Sequence, residues 1–261
     1  MMETKLVLLG TGTPNACPDA SGPSSAVVVG DRAYLVDFGP GVVRQAAKAY
    51  RNGIDALRPD RLVTAFCTHL HTDHTAGYPD LIFTPWVLER KEPLRVFGPK
   101  GIRDMTEHLL KAYKVDIDFR INGFEKANEV GYRVETQEIN SGVIYRDDRV
   151  TVEAFPVSHG TLESYGFKFT TPDRVIVISG DTGFLHAADL FHTKAIALMG
   201  PTAFGYPTGK QVEVIEVDLP CRPCTKDGHG KCKQSIWQKC MVDILPKRVV
   251  NTALRILNLM D

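Results

Sequence analysis

No apolar run approaches the roughly 18 residues that a membrane-spanning helix requires, so nothing in the sequence predicts a transmembrane segment. Neither charge is in excess. The 31 Lys and Arg balance 31 Asp and Glu over 261 residues, which provides no general attraction to nucleic acid. No internal repeat and no low-complexity linker appears. The opening residues lack a secretory signal, because Leu6-Val7-Leu8-Leu9 is too short for its apolar region and reads as a first strand. A cytoplasmic chain with reduced thiols is therefore expected. At 43% hydrophobic and 24% charged, the chain can bury a large core, either as one layered domain or as a domain with an appendage.

Chemistry is concentrated in one place. Thr68-His69-Leu70-His71-Thr72-Asp73-His74 carries three imidazoles and a carboxylate within six residues, a density suited to little besides holding metal. Arg61 to Thr68 reads as a buried strand and Thr75-Ala76-Gly77 as a helix start, which puts the cluster on a strand-to-helix loop. His69 and His71 alternate as strand residues do and can face one ion, while Asp73 and His74 can face a second. More distant donors follow strands. Val150 to Phe155 runs into Pro156-Val157-Ser158-His159-Gly160, and Arg174 to Gly180 ends at Asp181. A strand-end Asp also serves as a helix N-cap, a role that Thr182-Gly183 and the apolar stretch after them would allow.

Taken in order, Leu8-Leu9-Gly10-Thr11-Gly12-Thr13-Pro14, Tyr34-Leu35-Val36-Asp37-Phe38-Gly39, the His69 to His74 motif, Pro156 to Gly160 and Ser179 to Thr182 resemble the metallo-β-lactamase superfamily on its ribonuclease Z-like side. The resemblance covers residues 1 to about 181. It implies that His69, His71 and His159 hold one zinc, that Asp73 and His74 hold another, and that Asp181 bridges them, with manganese or iron as other occupants. Asp73 and Asp181 would then be the catalytic carboxylates, and Asp37 would orient a metal ligand. The implied reaction is hydrolysis of a small ester or phosphodiester by hydroxide generated between two cations. The family's late histidine, which completes the second metal's shell, has no counterpart here. That lack leaves a catalytically impaired metal-binding chain as the alternative.

The remainder departs from that family. Gly180-Asp181-Thr182-Gly183 with His186, then Met199-Gly200-Pro201-Thr202, then Leu219-Pro220-Cys221-Arg222-Pro223-Cys224 resemble the end of the ADP-heptose:lipopolysaccharide heptosyltransferases. The expected fold is therefore α/β: an αββα metallo-β-lactamase-like sandwich over 1–181 whose C-terminal part is replaced, over 182–261, by a Rossmann-type fragment of a glycosyltransferase. Such a chimera lacks the acceptor domain, so transferase activity is not expected. Within the tail, Cys221, Cys224, Cys232 and Cys240 have the count and opening spacing of a structural zinc site. Plain reduced thiols remain an equal reading, and disulfides are disfavoured in a cytoplasmic chain.

Ribonuclease Z proper carries a long arm between the His159 and Asp181 equivalents, and here only 21 residues separate the two. A small-molecule substrate is thus expected, with no nucleic acid and no membrane partner; a homodimer is left open. Trp86, Tyr113, Phe119 and Phe124 are candidate pocket walls. The pattern predicts helices at 41–52, 76–90, 101–114, 184–191, 234–241 and 246–259.

Overall fold

The computed structural model describes residues 3–12, 14, 18–157, 159, 161–179, 195–201, 210–224, 232–236 and 239–256. The chain divides into two compact units, Met1–Gly180 and Asp181–Asp261.

The first unit is built on two sheets. β1 (Thr4–Gly10), β2 (Ser24–Val29), β3 (Arg32–Val36), β4 (Thr64–Phe66), β5 (Leu94–Gly98) and β6 (Val134–Glu138) lie side by side in chain order. The first three pair antiparallel, and β3 to β6 pair parallel. A second, antiparallel sheet has the order β10 (Val175–Ser179), β9 (Tyr165–Thr170), β8 (Thr151–Pro156), β7 (Gly142–Arg146). Strand alternation divides the apolar residues between two cores. Val27, Val29, Tyr34, Val36 and Phe66 face Val152, Ala154, Phe167 and Phe169 of the other sheet. Ala26, Val28, Leu35, Ala65 and Val96 point the opposite way, where they meet the helices. These are α1 (Val42–Arg51), the short α2 (Thr72–Thr75), α3 (Tyr78–Val87), α4 (Ile102–Ala112) and α5 (Lys114–Asn122). Apart from the single turn α2, each contributes to that outer core through residues such as Val43, Leu81, Ile102 and Ile117.

Three elements differ from the sequence reading. The helix expected at 76–90 is the shorter α3, with α2 a separate turn ahead of it, because Gly77 between them leaves the helical path to donate its N–H to the Phe38 carbonyl at 2.9 Å. Pro79 then suits the first turn of α3. Helix α5 was not foreseen: Val115-Asp116-Ile117-Asp118-Phe119 alternates with period two and presents no helical stripe. Its i,i+4 pairs, Lys114 with Asp118 and Asp116 with Arg120, support the turns that burial does not. Strand β7 was also unforeseen, its residues being mostly exposed or half-buried.

Arg90 ties the helical layer to the sheet. Fully buried, its guanidinium donates to the carbonyls of Leu62, Leu81, Ile82 and Gly131 at 2.7–3.1 Å. With no carboxylate partner among the described residues, burial lowers its pKa to about 10, and the cation is held by carbonyl dipoles.

The second unit contains β11 (Ala195–Met199) paired parallel with β12 (Val212–Glu216), then α6 (Lys239–Val242) and α7 (Pro246–Ile256). Helix α6 is shorter than the 234–241 expected. The helix expected at 184–191 lies outside the described residues. Among the described residues, no helix is long and apolar enough to cross a membrane.

Candidate metal centre

Strands β3, β4 and β5 are parallel, so their C-terminal ends gather at one edge of the sheet, the usual place for a site in such a layout. The chain leaves β4 there. Cys67 N–H donates to the Phe97 carbonyl at 2.7 Å, and the Thr68 carbonyl accepts from Tyr165 N–H at 2.9 Å. Thr68 is thereby fixed between the two sheets. The following residues turn into α2, where Thr75 Oγ1 donates to the His71 carbonyl at 2.9 Å. His159 arrives from the other sheet, just past β8, its carbonyl accepting from Leu162 N–H at 3.2 Å.

His69 Nε2 and His71 Nδ1 come within 3.0 Å, and His159 Nε2 lies 3.1 Å from the same His71 nitrogen. Among the described residues, these three form the one set of metal-ligating groups whose donor atoms all lie within 4.8 Å of one another. The hydrogen bonds behind them determine which nitrogens carry lone pairs. Asp37 accepts only, taking Thr68 N–H at 2.7 Å and the Thr68 hydroxyl at 2.9–3.0 Å. Thr68 Oγ1, having spent its proton there, accepts from His69 Nδ1–H at 2.9 Å. His69 Nε2 therefore presents its lone pair to the other two rings. Three imidazole nitrogens converging in this way fit a cation, since tetrahedral coordination at about 2.0–2.1 Å separates ligand nitrogens by about 3.3 Å.

His74 repeats the pattern beside them. Its Nδ1–H donates to Asp37 Oδ2 at 2.8 Å, its Nε2 lies 3.5 Å from Asp73 Oδ2, and its ring centroid is 4.1 Å from that of His69. Asp37 thus steadies His69 through Thr68 and His74 directly, an arrangement typical of carboxylates behind metal-bound histidines. It does so from a left-handed backbone conformation, φ 59°, which Asp tolerates better than most residues. His69 and His74 are buried and His71 is exposed, so the cluster opens to solvent on the His71 side.

Two glycines allow the loops to meet. A Cβ on Gly39 would lie 2.5 Å from the Asp73 carbonyl oxygen, and one on Gly77 would lie 2.3 Å from the Gly39 carbonyl oxygen. Neither position admits a side chain without moving the loop that carries Asp73 and His74.

The other expected site residues fare differently. Asp181 and His186 lie outside the described residues. The sulfurs of Cys221, Cys224, Cys232 and Cys240 are not gathered to ligand spacing. Cys240 is buried, and burial, followed by the nearby Cys224, pushes its thiol pKa up; Cys221 Sγ accepts from Gln234 Nε2 at 3.2 Å. Burial also holds Cys67 as a neutral thiol, donating to the His69 carbonyl. The four aromatics proposed as pocket walls do not share a pocket. Trp86 is a core residue whose Nε1–H donates to the Asn128 carbonyl, Tyr113 lies against Phe83, and Phe119 and Phe124 are exposed. The sequence reading missed Thr68, whose hydroxyl links Asp37 to His69. Its only signal was a hydroxyl residue directly before the first candidate ligand, His69.

Residues 32–205 match the Beta-lactamase superfamily domain. That match runs past the junction expected near 181 and takes in residues 182–205, which the sequence reading had assigned to the transferase-like tail. A ribonuclease Z of Mycolicibacterium gilvum (strain PYR-GCK) is 34% identical over 184 residues, 68% of this chain and 61% of the relative. One from Mycobacterium bovis (strain BCG / Pasteur 1173P2) is 34% identical over 199 residues, 75% of this chain and 69% of the relative. This chain thus spans between six and seven tenths of the length of these curated relatives. Among solved structures, the short form of human tRNase Z superposes with TM-score 0.55 at 22% identity, covering 75% of this chain and 78% of that one. The metallo-beta-lactamase fold protein YhfI of Bacillus subtilis gives 0.53 at 14%, covering 74% and 70%.

Proposed function

The chain belongs to the beta-lactamase superfamily, with ribonuclease Z homologues, and on that footing we propose that it is a metal-dependent phosphodiesterase acting on a small substrate. The observation that carries this reading is the convergence of His69 Nε2, His71 Nδ1 and His159 Nε2, backed by the Asp37–Thr68 hydrogen bonds. Three neutral imidazoles suit zinc, and the residues named would hold it. A bound divalent cation would supply Lewis acidity toward a phosphoryl oxygen and a nucleophilic water near neutral pH. Asp73, beside His74, would serve a second cation and orient the attacking water, with Asp181 as the bridging carboxylate. The open side at His71 would admit substrate. The short stretch between His159 and Asp181 favours a small phosphodiester over a folded RNA.

Metal-stripped protein reloaded with zinc should hydrolyse bis(p-nitrophenyl) phosphate, and His71→Ala should abolish both turnover and tight metal binding. Zinc-loaded protein no faster than free zinc in buffer would refute the phosphodiesterase reading. Metal bound without turnover would instead support the second reading, a metal-binding chain impaired by lack of the late histidine. For the tail, descent from a sugar transferase rests on the order of its motifs and on the parallel pairing of β11 with β12. Saturable binding of an ADP-sugar would mean that the tail still works as a transferase fragment.

A further inference from the structure

At the opposite edge of the first sheet, where β3, β4 and β5 begin rather than end, a cavity of about 450 Å³ opens between their N-terminal residues and β7. Four cations line it: Arg32, Arg61, Lys91 and Arg95. Four carboxylates line it too, but three are already engaged. Asp60 takes a two-pronged contact from Arg58 at 2.5–2.6 Å, and Asp31 pairs with Arg149 at 3.0 Å.

Asp147 is fully committed. Its Oδ2 accepts from the Tyr34 hydroxyl at 2.6 Å, the Tyr145 hydroxyl at 2.9 Å and Arg32 at 3.1 Å, while Oδ1 accepts Arg149 N–H and Val150 N–H at 2.8 and 2.9 Å. Only exposed Glu92 remains on the acidic side. Among the described residues, Arg61, Lys91 and Arg95 have no carboxylate within ion-pair distance. Arg95 is also held in place. Its guanidinium carbon sits 5.7 Å from the Tyr145 ring centroid, and Nη2 donates to Thr64 Oγ1 at 3.3 Å.

We propose that this cavity is a second, non-catalytic binding site for a small phosphate monoester. A guanidinium fixed over an aromatic ring keeps its fork of N–H donors oriented, the geometry that phosphate oxygens match in pairs. Two further cations on the same cavity provide the charge that a dianion needs. The volume falls within the range of small-molecule sites, about 300–1,000 Å³, and leaves room for the organic part beyond the phosphoryl group. The site does not depend on the chemistry at the histidines, three of which follow the opposite, C-terminal end of β4 while His159 follows β8.

Isothermal titration calorimetry with adenosine 5′-monophosphate and with inorganic phosphate tests this. The full chain should bind the nucleotide saturably, and more tightly than inorganic phosphate. Arg95→Met should weaken nucleotide binding at least about tenfold and Lys91→Met severalfold, while His71→Ala should leave it unchanged. Lys91 is exposed, so its variant carries the test if Arg95→Met fails to fold. Three results would overturn the proposal: no saturable binding at millimolar nucleotide, equal affinity for inorganic phosphate, or binding that survives both cavity variants and disappears in His71→Ala.

Discussion

Asp37→Asn separates the two histidines that Asp37 supports, His69 through Thr68 and His74 directly. The substitution adds no backbone strain, since Asn occupies the left-handed region at φ 59° as readily as Asp. The new amide oxygen, placed at Oδ1, still accepts Thr68 N–H and the Thr68 hydroxyl. His69 therefore keeps its proton on Nδ1 and its lone pair on Nε2. At the Oδ2 position a donor now faces His74 Nδ1–H, 2.8 Å away in the native protein. Left alone, that clash would cost about 1–3 kcal/mol, as an unsatisfied buried donor does. The ring escapes it by moving its proton to Nε2, which removes the lone pair from the nitrogen nearest Asp73. Global stability should consequently fall by no more than about 2 kcal/mol. Affinity for metal held through His74 should fall 10- to 100-fold, about 1.4–2.7 kcal/mol. The metal at His69, His71 and His159 should remain. Zinc titration by calorimetry, with metal content measured after dialysis, resolves the two sites. A variant indistinguishable from wild type, or one that loses all metal together, would refute this division of roles.

Other consequences can be measured separately. Arg90→Met leaves four buried carbonyls without their shared donor and should cost about 3–5 kcal/mol, read as a lower urea midpoint at unchanged m-value. Gly77→Ala forces a methyl against the Gly39 and Phe38 carbonyl oxygens; a loss of about 1–3 kcal/mol in a thermal melt should accompany weaker metal binding, because the displaced loop carries Asp73 and His74. Burial opposes the charge of Asp147, but the Tyr34 hydroxyl and the Arg149 and Val150 N–H groups outweigh it and hold its pKa below the usual 3.8. Its contribution is present above that value and lost as pH falls through the folded-state pKa. Tyr34→Phe should therefore move the acid-unfolding midpoint upward in a circular dichroism titration, and an unchanged midpoint would count against it.

The Thr68 to His74 segment was legible in the sequence because its residue types, at that density, suit little but metal, and because a buried strand precedes it. His159 was legible as a strand-end donor. The two-sheet arrangement was legible through the family resemblance those motifs carry, whereas β7 and α5 were not legible: short elements with one buried residue or none leave little periodic signal. What only the tertiary structure decided was geometry over long sequence separations. Asp37 reaches Thr68 and His74, 31 and 37 positions away, and through them determines which ring nitrogens bear lone pairs. His159 meets His71 from 88 positions away. The cavity beneath the sheet draws its lining from residues 31 to 147, and its character depends on which of its carboxylates are already engaged. A linear pattern records what side chains are made of, whereas the pairing of charges and the placement of protons follow from which strands lie side by side.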